Sequence, residues 1–438
     1  MSTPTLDHSS RTRTRPDRSA RHPLVAEVRG GPARWIALVV SAADAVHMVA
    51  SADSWQGSWP ETQQELHMFA VLVLGPFAAA AGCWLGAREQ RSHMAVLRAC
   101  AARSAFAQFL VVAVPVALAV VAAHAVVTAG SMLASWPYTS GGRPLLAPPA
   151  ADLVFLAAAA FVGVVVGRFA PGRLVPPVLA AGLYLLLGYA TFDESPARFL
   201  SPAADDGFVR AEPVWWQPPA MMVWTGGLAA AAVLATTLRS RWSWSAVVPL
   251  ALAASAAVSI ARAGEEMWHE PAWARARACD DSVPKVCVPG ERRDMLPHVS
   301  AAMAGVIGRL EGVRHLPDRF PVPQLLLGQE VVRGELTEPQ RLAWETTSAL
   351  VPECVAEHDD PVHGVVRDWL VSNDLSESRR KAMEETAREW GDRGIDAMRA
   401  ESRALSRLTA MDDDRRRAWL SRYFKAVGSC DTQAVPVL

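Results

Sequence analysis

The sequence predicts an all-α fold: a polytopic helical membrane bundle of about six to seven spanning helices, followed by a mostly helical soluble domain. Three observations predict it. Long apolar runs follow one another through residue 262, arginines cluster in alternate connections between them, and acidic residues are concentrated in the last third. A mean hydropathy of +0.14 averages these two unlike regions. The net charge of −1 gives no reason to expect a nucleic acid as partner.

Seven apolar runs come close to the length of a spanning helix, since about 20 apolar residues cross a hydrocarbon layer about 30 Å thick. Inside that layer no water is available to hydrogen-bond the backbone N–H and C=O groups, so such runs must be helical. Pro115 and Pro249 interrupt two runs, which packed membrane helices tolerate. The runs cover residues 34–52, 66–86, 105–130, 150–167, 174–192, 218–238 and 243–262. The predicted domains are a disordered basic tail (1–33), a transmembrane domain (34–262) and a C-terminal domain (263–438).

The arginines predict the orientation of the chain in the cell membrane. If the N-terminus is cytoplasmic, fifteen arginines fall in the cytoplasmic segments 1–34, 87–104, 168–173 and 239–241. The opposite loops contain only Arg143, Arg198 and Arg210. This bias follows the positive-inside rule. Seven crossings then place the C-terminal domain outside the cytoplasm.

The cysteines agree with that placement. An even number lies after residue 262, where an oxidising compartment would allow disulfides: Cys279, Cys287, Cys354 and Cys430. Cys279 and Cys287 are close enough in sequence to close a small loop, which leaves Cys354 with Cys430. Free thiols are the alternative. A metal site is disfavoured because C-x-x-C spacing is absent.

Helical patterns dominate the C-terminal domain. Thr337 and Gln340 fit a capping box before an apolar stripe, and Asp412 is a plausible N-cap for the last helix. A short strand is predicted at Val322–Leu327. Amphipathic stretches cover residues 294–311, 361–371, 377–390, 394–409 and 413–427.

Motifs for catalysis are absent from the sequence. It contains no G-x-x-x-x-G-K-[ST] loop to cradle phosphates, no H-E-x-x-H metal motif and no G-x-S-x-G nucleophile turn. We therefore predict no catalytic residue, no cofactor and no metal site.

Three ionisable residues within the spans are candidates for a transport path. Asp44 and His47 lie three residues apart in the first span and share a helix face, and His124 lies in the third. Ionisable groups at membrane depth are costly and tend to face a bundle interior or a cavity. They indicate either a substrate path with a proton-sensitive pair, or a polar contact between helices that are partly wet.

The connection after the second span, residues 87–104, is basic and amphipathic. Met94 and Leu97 project from one face of a short helix, and Arg91 and Arg98 flank them. Such a stretch either lies on the inner membrane surface or docks onto a cytoplasmic partner.

The layout resembles actinobacterial ABC-2-type transporter permeases. The resemblance rests on the basic tail, the loop Ser-Trp-Gln-Gly-Ser-Trp (54–59) and the basic segment 87–104. Some such proteins add an extracytoplasmic C-terminal domain. The parts of this sequence that resemble that domain are Cys279, Val-Cys-Val-Pro-Gly (286–290) and Arg-Ala-Trp-Leu-Ser-Arg-Tyr (417–423). The resemblance implies a permease subunit without its own nucleotide site, which works with a separate ATPase and with a second permease subunit or a second copy of itself. The alternative is a membrane-anchored sensory or ligand-binding protein.

Overall fold

A computed structural model gives the fold. It describes residues 31–91, 104–139, 143–192, 194–204, 211–238, 244–270, 275–320, 331–348, 350, 361–372, 378, 381, 385 and 392–438. Within these ranges the chain forms a bundle of apolar helices and a C-terminal domain with a hydrophobic core of its own.

Among the described residues, six helices have the length and apolar composition needed to cross a membrane, which supports a membrane protein. A seventh apolar helix has only 16 residues, or about 24 Å at 1.5 Å per residue. Six long helices agree with the predicted six to seven, and the run at 174–192 forms a helix shorter than a full span. The helices are α1 (Ala33–Ala50), α2 (Trp59–Gly86), α3 (Ala105–Ser135), α4 (Ala147–Phe169), α5 (Val175–Ala190), α6 (Gln217–Thr237) and α7 (Val247–Ala263).

Helix α2 begins seven residues before the apolar run that predicts it. The Ser58 side chain accepts a hydrogen bond from the backbone N–H of Glu61, and Pro60 occupies the first turn. These signals start a helix whose first half is polar. The helix then passes through a π-helical segment, Ala70–Leu74, before its apolar second half. The extension carries several polar side chains into the bundle.

Glycines bring α2 and α4 into backbone contact. Gly82 and Gly86 of α2 face α4, while Gly163 and Gly167 of α4 face α2. A Cβ atom added at Gly163 would lie 2.1 Å from the carbonyl oxygen of Ala79, which is a severe clash. Pairs of small residues four apart permit such close approach between membrane helices. This contact fixes the distance between the two helices that carry the site described below.

Helix α5 runs between the two ends of the bundle despite its length. At its start, Arg168 of α4 donates to the carbonyl oxygen of Gln108 in α3, which marks one end. After it, the carbonyl oxygen of Leu200 accepts from the Trp224 indole N–H near the start of α6. Strand β1 (Glu212–Pro213) next pairs with β2 (Trp268–His269), beyond α7. The chain has therefore crossed to the end from which the C-terminal domain emerges, here called the domain end.

The C-terminal domain combines helices with a small sheet. In its three-stranded sheet, β3 (Arg277–Cys279) pairs antiparallel with β4 (Lys285–Pro289), and β5 (Arg319–Phe320) pairs parallel with β4. A hairpin of β6 (Val331–Val332) and β7 (Glu335–Leu336) follows. The helices are α8 (Leu296–Leu310), α9 (Pro339–Ser348), α10 (Pro361–Val371), α11 (Asp392–Ala410) and α12 (Asp413–Gly428). They share one apolar core.

Several local predictions hold in this domain. Asp412 caps α12 by accepting from the backbone N–H of Arg415. Cys279 and Cys287 lie opposite each other on β3 and β4 and form a disulfide. Cys430 is disulfide-bonded as well, while Cys354 lies outside the described residues. The strand predicted at 322–327 and most of the stretch 377–390 also lie outside them.

Asp280 ties the β3–β4 hairpin to α8. One carboxylate oxygen accepts from the backbone N–H of Val286 at 2.9 Å and from the Ser282 hydroxyl at 2.6 Å. The other oxygen accepts from the Ser300 hydroxyl at 2.6 Å. Burial favours the neutral acid, but these hydrogen bonds favour the carboxylate more strongly and lower the pKa of Asp280 below its usual value.

Candidate functional site

Asp44 and His124 form a buried pair between α1 and α3. The Nδ1 atom of His124 lies 2.7 Å from an Asp44 carboxylate oxygen, and both side chains are almost fully buried. The Nε2 atom of His124 lies 3.4 Å from the Thr128 hydroxyl, one turn further along α3. The second carboxylate oxygen of Asp44 is buried without a hydrogen-bond partner among the described residues. Two of the three path candidates are thus brought together.

His47 is not part of the Asp44–His124 pair and contacts α2 instead. Its Nε2 atom is 2.9 Å from a carboxylate oxygen of Glu65 on α2, and its ring stacks on Phe69 at 4.2 Å between centroids. About a third of the His47 side chain is exposed. Residues three apart on a helix differ by about 60° around its axis, since each residue turns it by about 100°. That angle is enough for Asp44 to face α3 while His47 faces α2.

A second buried histidine–carboxylate pair was missed by the sequence analysis. His67 of α2 places Nδ1 2.7 Å from a carboxylate oxygen of Asp152 on α4. Its Nε2 atom lies 2.9 Å from the carbonyl oxygen of Pro202, in the segment between α5 and α6. His67 lies inside the second apolar run, at 66–86, and its ionisable ring was the signal that could have singled it out. Asp152 lies near the start of the fourth run, at 150–167, and was not among the predicted path residues.

The His67–Asp152 pair borders a small cavity at the domain end. Its volume of about 30 Å³ accommodates a water molecule, but not an organic substrate. Gln217, Met221 and Trp268 contribute to its walls. The π-helical segment of α2 begins three residues after His67. Such segments are frequent at functional sites, because they reposition side chains along a helix.

Polar contacts continue from this pair along the first half of α2 toward the C-terminal domain. The Gln63 side-chain oxygen accepts from the backbone N–H of Leu145 at 3.1 Å. The Thr62 hydroxyl lies 2.7 Å from that of Ser135 at the end of α3. Beyond them, Glu61 forms an ion pair with Arg292 of the C-terminal domain. The first half of α2 therefore links the bundle interior to the domain.

The Glu61–Arg292 ion pair is buried on both sides. The two side chains are only 7% and 5% exposed. A second contact lies nearby, where Arg333 donates from its backbone to the Gln56 carbonyl at 2.7 Å and from Nε to the Gln56 side-chain oxygen at 3.0 Å. The domain is therefore fixed to the start of α2 and to the loop that precedes it by charged and polar contacts.

Of the four predicted docking residues, the structure describes Arg91 alone. Its guanidinium lies over the Trp84 ring, 4.3 Å from the centroid, and donates to the Trp84 carbonyl oxygen. Met94, Leu97 and Arg98 lie outside the described residues. Over the part of the chain that the structure describes, no group of three or more histidine, cysteine or acidic side chains is arranged to hold a metal ion.

In comparisons with known proteins, no family model, no curated protein and no solved structure matches this chain.

Proposed function

We propose that the chain is a membrane-spanning permease subunit of an ABC-type transporter, powered by a separate ATPase subunit. The observation that carries the proposal is the pair of buried histidine–carboxylate contacts, Asp44–His124 and His67–Asp152, inside a bundle of apolar helices. Ionisable groups at membrane depth mark substrate or ion pathways in many membrane proteins. The small cavity at the second pair suits a closed state rather than an open path.

The proposed orientation has the N-terminus in the cytoplasm and the C-terminal domain outside the cell membrane. The arginine bias supports this orientation. The direction of the seven helices, which alternates from one helix to the next, also supports it, because residues 87–91 and the C-terminal domain then lie at opposite ends of the bundle. A reporter that is active only in the cytoplasm should work when fused at residue 20 and fail at residue 438. Activity at both positions would refute the topology.

The ATPase would dock onto residues 87–104, with Met94 and Leu97 as the buried contacts and Arg91 and Arg98 at the rim. The test is recovery of the ATPase with the full chain in mild detergent. Replacing Met94 and Leu97 by Asp should abolish recovery without affecting membrane insertion, because neither lies in a span. Rim arginines should matter less, and less still at high salt.

A matched control for that test adds the same two charges elsewhere. Val283 and Val437 are 75% and 91% exposed in the C-terminal domain. Replacing both by Asp should leave recovery of the ATPase unchanged. Normal recovery with Met94→Asp/Leu97→Asp would exclude the segment as the docking site. Absence of any ATPase with the unaltered chain would refute the permease assignment.

A second candidate is a membrane-anchored sensory or partner-binding protein. The observation that favours it is the buried Glu61–Arg292 ion pair, through which a ligand on the domain could act on α2. This function predicts that Arg292→Ala changes the exposure of cysteines introduced at the opposite end of the bundle. A permease that uses the domain only as an anchor predicts no such change.

A further inference from the structure

His67 makes two hydrogen-bond contacts that a neutral imidazole cannot satisfy together. One ring nitrogen faces the Asp152 carboxylate at 2.7 Å, and the other faces the Pro202 carbonyl oxygen at 2.9 Å. A carbonyl oxygen only accepts hydrogen bonds, and so does an ionised carboxylate. A neutral imidazole has one N–H, so it can donate to only one of the two.

Both contacts are satisfied when the pair holds one more proton. Either His67 is an imidazolium that donates to both oxygens, or Asp152 is protonated and donates to Nδ1 while His67 donates from Nε2. These two arrangements contain the same number of protons, so the proton belongs to the pair. We propose that His67, Asp152 and the Pro202 carbonyl oxygen form a proton-binding site, which holds the segment between α5 and α6 in place when it is occupied. This proposal does not depend on the permease function.

The pair on α1 and α3 has no such requirement. His124 donates from Nδ1 to Asp44, and its Nε2 atom faces the Thr128 hydroxyl, which can donate as well as accept. A neutral His124 with its proton on Nδ1 can therefore satisfy both of these contacts. Both buried pairs consist of a histidine and an aspartate, but the groups around them require different numbers of protons to satisfy the ring contacts. This difference provides an internal control.

Among the described residues, each element packed against His67 presents a different kind of group. Asp152 approaches it from α4, and the nearest acidic group on α2 itself, Glu65, pairs with His47 instead. The segment from α5 presents a backbone carbonyl oxygen, and α6 contributes the neutral Gln217 to the adjoining cavity. Asp205 and Asp206 follow shortly after Pro202 in the sequence and lie outside the described residues, so their amide variants are necessary controls.

Loss of the proton would act on the segment that carries Pro202. With Asp152 ionised and His67 neutral, a lone pair on one ring nitrogen must face an oxygen across less than 3 Å. The segment has other anchors, since Leu200 is bonded to Trp224 and Phe199 packs in an apolar cluster with α6 and α7. The part released should therefore be the stretch next to the cavity, residues 201–204.

The first experiment detects the proton in the full chain, with ¹⁵N-labelled histidine in lipid nanodiscs near neutral pH. We expect either a histidine with two protonated ring nitrogens or the infrared band of a buried carboxylic acid. The signal should vanish in both His67→Gln and Asp152→Asn, and persist in Asp44→Asn. It should also persist when Asp205 and Asp206 are changed to Asn. A singly protonated His67 beside an ionised Asp152 would overturn the proposal, and the unaltered chain is sufficient to show it.

The second experiment measures release of the segment. Ala203 is buried, so Ala203→Cys should react slowly with a maleimide, compared with the exposed reference Ser54→Cys. Both are made with Cys83 and Cys100 changed to Ala. Across a series of pH values, the labelling ratio should rise severalfold where the proton signal of the first experiment is lost. Asp152→Asn should abolish that rise, because its amide can donate to a neutral His67. A pH-independent ratio in the unaltered site, or an undiminished rise with Asp152→Asn, would overturn the clamping role.

Discussion

Removing either partner of the Glu61–Arg292 ion pair should destabilise the junction between bundle and domain. Both side chains are more than nine-tenths buried, so Glu61→Ala or Arg292→Ala leaves the remaining charge in a dry environment without its ion-pair partner. Such a loss costs about 3–5 kcal/mol, whereas replacing both partners of a buried pair by apolar residues is often neutral. We therefore expect each single variant to be far less stable than Glu61→Leu/Arg292→Met.

The assay is thermal unfolding of the full chain in detergent, combined with limited proteolysis of the domain. A matched control is the exposed ion pair Arg198–Glu265, whose carboxylate is 75% exposed. Exposed pairs are worth about 0–1 kcal/mol, so Glu265→Ala should leave the unfolding midpoint nearly unchanged. Equal small effects at both pairs would refute the argument from burial. A double apolar variant less stable than either single variant would show that the pair itself is required.

Three further predictions follow from packing, covalent structure and charge. Gly163→Leu should prevent α2 and α4 from packing and abolish the folded protein in a detergent stability assay, whereas Gly182→Leu, which meets open space, should be tolerated. Mass spectrometry without reduction should find Cys279 linked to Cys287, and complete alkylation of both without reductant would contradict it. Asp280→Asn should destabilise the protein near neutral pH. Because the folded-state pKa of Asp280 is lowered, the stability that it contributes is present above its unfolded pKa, so the difference should shrink as pH falls below about 4. A difference that grows in acid would contradict this sign.

Local patterns in the sequence were sufficient for the outline of the fold. Six of seven apolar runs became long helices, because the cost of an unsatisfied backbone in lipid depends on composition over some 20 residues. The cap at Asp412 and the Cys279–Cys287 disulfide involve residues at most eight positions apart. Such features depend on the properties of a single segment, so the residues of that segment predict them. The limits of this approach appear at α5, where the apolar run is longer than the helix that it forms.

Tertiary structure decided how the residues of the candidate site are paired. His124 meets Asp44 across 80 residues of chain, His67 meets Asp152 across 85, and Arg292 meets Glu61 across 231. No local pattern selects these partners, since each depends on which helices touch and how closely. The glycine contact between α2 and α4 sets that distance for His67 and Asp152. The sequence by itself determined a series of apolar helices that carry a few ionisable residues, and the packing of those helices decided which of these residues meet.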